Sequence, residues 1–216
     1  MNKTAIIEKT KEHVQSILIH HDASHDWWHI ERVWRMACYL AEKEQANLFV
    51  VELAALLHDI DDWKFNQGNA ILKTKSWLVH LQIPQNMVNQ VCHIVENVTF
   101  KGNLVQTHSS KSIEEAVVQD ADRLDAIGAI GIARTFSYGG YKKRPLYDPA
   151  IAPAQHKTFE EYKKSESTTL NHFYEKLFLL KDKMNTNTAK KIAEERHAFM
   201  ERFVSQFMCE WDFKEK

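Results

Sequence analysis

Residues 50–58, VVELAALLH, constrain the fold more than any other stretch of this chain. The segment is apolar almost all round, and a helix without a polar face has to lie inside a bundle. It ends in His58-Asp59, so two ionisable side chains stand at the edge of a core. Helical spacing is also clear elsewhere. Ile30, Val33, Trp34, Ala37, Cys38 and Ala41 predict a helix from about Asp26 to Gln45, with Ser24 or Asp26 as its cap. Val88, Val91, Val95 and Val98 predict another, with Pro84 near its first turn. Ile113, Val117, Ala121 and Leu124 predict the next.

Glycine and proline are sparse, and half of them fall between about 137 and 157, at Gly139, Gly140, Pro145, Pro149 and Pro153. That stretch is predicted as the one long loop, and it carries Lys142, Lys143 and Arg144. Two C-terminal helices are expected after it, about 158–181 and 187–210. The fold class is therefore all-α, read as a single domain over 1–216.

Composition excludes several functions. A net charge of -1 gives no broad basic field for nucleic acid or anionic lipid. No apolar run approaches a membrane span, and charges interrupt the first residues throughout, against a signal peptide. Cys38, Cys92 and Cys209 form no CxxC and suggest no disulfide framework. A reducing cytoplasm is the expected compartment. Walker, G-x-S-x-G and glycine-rich phosphate motifs are missing.

What the chain does carry is His29 in DWWHIERV, His58-Asp59 in LAALLHDIDDW, and Asp120, Asp122 and Asp125 in VVQDADRLDAIG. Two imidazoles and two carboxylates can close around one divalent cation, and such N/O sets suit Mn, Fe, Co, Ni or Zn. Each residue also has a plainer reading. His29 can be a helix histidine flanked by tryptophan, and His58 a histidine favoured by a helix C-terminus. Asp120 and Asp125 can cap or pair with Arg123 or Arg134. On a helical wheel Asp120 falls in the apolar stripe and Asp122 nearly opposite. A buried carboxylate needs a cation or a donor, so the wheel favours Asp120 as the fourth ligand.

The order H…HD…D, with its A-D-R-L-x-A context, resembles the HD-domain superfamily of metal-dependent phosphohydrolases. The resemblance covers about residues 20–130, and GIARTFSYGGYKKRPLYDP resembles the small stand-alone bacterial members. It implies an all-helical bundle and one divalent metal (Mn, Mg, Co, Ni, Fe or Zn) held by His29, His58, Asp59 and Asp122. Asp120 or Asp125 would then support an imidazole N–H. It further implies an acid at HD-x-x-[E/D], here Asp62, moving protons in hydrolysis. Lys64, Arg134 and Lys142 to Arg144 are candidate phosphate ligands, with Lys142 and Arg144 chosen as substrate-binding. His25, Asp26 and His93 read as polar neighbours of the site helices.

The implied substrate is a small nucleotide phosphate, with nucleoside triphosphate pyrophosphohydrolase activity first. A 5′-nucleotidase, a guanosine tetraphosphate hydrolase and a noncatalytic nucleotide- or metal-sensing module are the alternatives. A plain helical interaction protein is the remaining reading. No nucleic-acid or membrane partner is expected, and oligomeric state is left open, a homodimer included.

Overall fold

The computed structural model describes residues 2–18, 26–61, 71–98, 111–154 and 167–214, and every regular element among them is helical. Two units divide the chain, Met1–Asp122 and Arg123–Lys216.

In the first unit, α1 (Lys3–Leu18) buries Ile6, Ile7, Thr10, Val14 and Leu18, a stripe at three- and four-residue spacing. Helix α2 (Trp27–Lys43) starts at Asp26, whose carboxylate accepts from the His29 backbone amide at 2.9 Å. That cap satisfies one of the amides left free in a first turn. Helix α3 (Leu48–Leu57) buries every residue except Leu48 and Glu52, as an apolar helix must, and packs against α1, α2 and α5. Helix α4 (Leu72–His80) leads into α5 (Gln85–Val98), whose first turn donates to the Pro84 carbonyl through Met87 and Val88. Helix α6 (Ile113–Asp125) begins at Ser112, whose hydroxyl accepts from the Glu115 amide. Glu114 fixes the start of α6 beside its neighbours, taking the Asn47 backbone amide at 3.1 Å and reaching Gln90 at 3.5 Å.

In the second unit α7 (Gly128–Tyr141) packs on α9 (Asn187–Trp211). Phe136, Phe173, Phe203 and Phe207 interleave there, with Phe173 and Phe203 stacked at 5.9 Å. The loop begins later than the sequence predicts. Gly139 and Gly140 stand in the last turn of α7, and Lys142 is its C-terminal cap. Gly139 marks a close approach rather than a hinge: a Cβ there would lie 2.2 Å from the Thr169 hydroxyl oxygen. The loop is also tied down. Pro145 and Leu146 carbonyls accept from Thr169 and Leu170, Asn171 donates to Ile151, and Glu175 takes the Ala154 amide.

The helix expected over about 158–181 is not one element. Residues 155–166 lie outside the described residues. Beyond them come a short α8 (Asn171–Glu175) and two 3₁₀ turns, Leu177–Leu179 and Lys181–Lys183. Phe173, Leu177, Leu180 and Met184 are buried along this path. Their spacing suits a continuous helix and a chain of tight turns alike, so the pattern could not separate them.

Candidate metal centre

His58 is the residue after the last turn of α3, and main-chain geometry sets its chemistry. Its Nδ1 lies 2.8 Å from the Ala55 carbonyl oxygen. A carbonyl only accepts, so Nδ1 carries a proton, and in the neutral ring Nε2 presents a lone pair. Nε2 is buried and has no hydrogen-bond partner. An unsatisfied polar atom in a core costs about 1–3 kcal/mol, so its presence calls for an explanation.

The surroundings of Nε2 supply one. Asp59 Oδ1 is 3.6 Å away and Asp122 Oδ1 3.9 Å away. His29 comes from the first turn of α2, where the Asp26 cap fixes the backbone. Its Nε2 stands 3.5 Å from Asp59 Oδ2 and 3.6 Å from Asp122 Oδ1. The two imidazoles meet edge to face, centroids 5.4 Å apart. These separations are too long for good hydrogen bonds. Ligands about 2.1 Å from a tetrahedral cation stand about 3.4 Å from one another, so a small contraction would close this set on a metal. One ligand atom from each of His29, His58 and Asp59 lies within 4.8 Å of the others, close enough for the three to hold a metal ion. Both histidines are almost fully buried, Asp59 nearly so, and the Asp122 side chain is a third exposed.

Asp120 and Asp122 occupy different environments on α6. Asp120 is wholly buried, on the same side as Val117, Ala121 and Leu124, and is engaged by its own partners. Ile113, counted in that stripe, is 40% exposed. Asp122 brings its carboxylate to both imidazoles despite pointing away from the stripe. Asp125 pairs with Arg134 at 2.5 Å within the second unit.

The remaining sequence candidates have separate positions. Asp62, Lys64 and His25 lie outside the described residues. His93 is exposed and faces Glu115 at 3.5 Å. Lys142 sits over the rings of Tyr138 and Tyr141, at 5.6 and 5.2 Å, and Arg144 over Tyr138 at 5.8 Å. Asp61 was not singled out from the sequence. It is buried and accepts from two backbone amides of α4, at 3.0 Å from Lys73 and 2.8 Å from Thr74. The run DIDD concealed it, because neighbouring acids look alike until their partners are known.

The HD domain family matches residues 27–127. Over 201 residues the chain is 41% identical to the uncharacterized protein YpgQ of Bacillus subtilis, covering 92% of this chain and 90% of that protein. This chain belongs to the HD-domain family. An HD-superfamily hydrolase from Bacillus thuringiensis superposes with a TM-score of 0.79 at 46% identity, covering 98% of this chain and 99% of its own. A crystal structure of Bacillus subtilis YpgQ in complex with ADP superposes with a TM-score of 0.76 at 38% identity, covering 96% of this chain and 95% of that one. The HD match spans α2 to α6, the segment that holds His29, His58, Asp59 and Asp122. No helix among the described residues is long and apolar enough to cross a membrane.

Proposed function

We propose that the protein is a divalent-metal-dependent phosphohydrolase acting on small nucleotide phosphates. The observation that carries this is the buried, partnerless Nε2 of His58, facing two carboxylates beside the His29 imidazole. His29, His58, Asp59 and Asp122 would hold the ion. A cation bound there would polarise a phosphoryl oxygen and acidify a water. The two carboxylates offset its charge, and the Ala55 carbonyl keeps the His58 lone pair directed inward.

The preferred reaction is pyrophosphohydrolysis of a nucleoside triphosphate. Water attacks the α-phosphorus, the bond from that phosphorus to the bridging oxygen breaks, and a nucleoside monophosphate and pyrophosphate leave. Asp62 takes the proton from water, and Lys142 and Arg144 hold the phosphate oxygens. The ADP complex of Bacillus subtilis YpgQ supports a nucleotide as substrate.

The test begins with elemental analysis of the purified protein. A nucleotide panel with Mn, Mg, Co and Ni follows. Pyrophosphate as product supports the preferred reaction, whereas orthophosphate from monophosphates would replace it with a 5′-nucleotidase. Metal uptake with no product from any nucleotide would leave a sensing module instead. Asp62→Asn keeps the size of the side chain but not its basicity, so turnover should fall by about 10²-fold or more with metal retained. An Asn variant with parental turnover across the pH range would remove Asp62 from the mechanism.

A further inference from the structure

Immediately after the His58-Asp59 pair the chain makes an unusual attachment. Ile60 is buried and its amide bonds the Leu57 carbonyl, so the α3 turn continues to Asp61. The Asp61 carboxylate is only 7% exposed as a residue, and its two oxygens are divided between two donors. Oδ1 accepts from the Lys73 amide and Oδ2 from the Thr74 amide, both in the first turn of α4. Ile71, the residue at the α4 N-cap position, makes no side-chain cap. Asp61 therefore supplies the cap from twelve residues upstream. A carboxylate at a helix N-terminus is favoured by the macrodipole, and bonds to a charged acceptor are the stronger kind.

We infer that Asp61 is a positioning residue for the metal centre, tying the His58-Asp59 turn to α4. This rests on the reading of His58 and Asp59 as metal ligands. The physical argument is one of leverage. His58 and Asp59 sit beyond the last full turn of α3, where a helix end frays unless something holds it. Toward the N-terminal side, His58 is held by the Ala55 carbonyl. Toward the C-terminal side, Asp61, two residues after Asp59, supplies a polar attachment to α4. With both ends fixed, the donors approach binding geometry before any ion arrives, and less ordering is required on binding. Without the second attachment, the Asp59 carboxylate samples more orientations and metal affinity falls.

Three variants of the full chain test this, each stripped of metal and titrated with Mn²⁺ by electron paramagnetic resonance of the free ion. They are Asp61→Ala, Asp61→Asn and the core truncation Val88→Ala in α5, which lowers stability in the same unit without touching the cap. Amide exchange at Lys73 and Thr74 and the ¹⁵N signals of the His58 ring are read in the metal-free proteins. Asp61→Ala should lose protection at both amides and raise the Mn²⁺ dissociation constant about tenfold, the scale of a lost support behind a metal ligand. Asp61→Asn retains one acceptor but turns an NH₂ toward the second amide, so it should fall between parent and Ala. Val88→Ala should bind Mn²⁺ like the parent.

Parental affinity in Asp61→Ala, with protection at Lys73 and Thr74 lost, would overturn the inference and leave Asp61 as a helix cap alone. An equal loss of affinity in Val88→Ala would overturn it too, because any destabilisation would then suffice. Should Asp61→Ala not fold, Asp61→Asn decides by the same comparison. A parent protein that binds no Mn²⁺ would instead remove the ligand reading. The His58 ring signals then decide separately, unchanged signals in the variants meaning that Asp61 does not act on that turn.

Discussion

The His58 turn in the first unit and the Lys142 to Arg144 segment in the second both looked functional in sequence, and local physics treats them in opposite ways. At His58 a buried nitrogen has no partner, and the surrounding acids stand beyond hydrogen-bond distance. Folding alone does not account for that arrangement. At Lys142 and Arg144 the cations lie over tyrosine rings and at the C-terminal end of α7, where the macrodipole favours positive charge. Those contacts give Lys142 and Arg144 local partners of their own. Function is more readily inferred where a structure carries a cost that its own contacts do not offset.

The contrast can be broken most decisively at His58. His58→Ala should remove bound metal and reduce hydrolysis by more than the roughly 10²-fold typical of losing one proton-transfer group. Far-ultraviolet circular dichroism should stay close to parental. Full metal occupancy by elemental analysis would return His58 to the class of structural histidines.

A second comparison separates burial from ligation on α6. Asp122→Ala should weaken metal binding about 10- to 100-fold with little loss of thermal stability. Asp120→Ala, at a wholly buried position, should do the reverse, lowering the melting temperature more than the affinity. If the order of affinities inverts, the wheel identified the ligand and the motif did not.

At the basic segment the effects should be smaller. Replacing Lys142 and Arg144 together by Ala should raise KM several-fold with turnover nearly unchanged, as for groups that bind ground and transition states alike. A fall in turnover at constant KM would place them on charge that develops during the reaction. Unchanged kinetics would make them dipole- and tyrosine-bound surface charges, and the contrast between the two regions would become complete.

The smallest effect concerns His172. Burial, then the charges of Lys176 and Arg144, push its pKa down to about 3. The folded group thus resists a proton that the unfolded chain accepts near 6.5. Between these values the unfolded state binds more protons, so stability falls as pH drops below about 6.5 and the loss levels off near 3. Part of the residue still reaches solvent, which keeps the slope below the limit of about 1.4 kcal/mol per pH unit for one group. Denaturant melts of His172→Gln and parent across pH 3–8 should diverge in this direction. His172→Gln should also keep its metal, since the residue lies outside the ligand cluster; parallel melts would show that the ring is protonated without cost.

Much of this was legible in the chain itself. VVELAALLH had to be an interior helix because it has no polar face, and α3 buries nearly all of it. Period and order were enough to place His29 and His58-Asp59 on helix ends and to relate them to a family. The loop expected from about 137 begins only after Tyr141, because glycine signals both turns and close packing, and only the Thr169 hydroxyl beside Gly139 shows which applies. The broken helix after Asn171 has apolar spacing that tight turns also satisfy.

Local sequence determined the all-helical class, the helices that carry the imidazoles and carboxylates, and the residue types available to a metal, since each depends on neighbours three or four positions away. Tertiary structure decided which acid does what in crowded acidic runs. The Asp122 carboxylate comes within 3.9 Å of both imidazoles, and the Asp61 carboxylate caps α4. A carboxylate's role is set by the donors it meets across the fold, and those partners lie too far along the chain for any local pattern to specify.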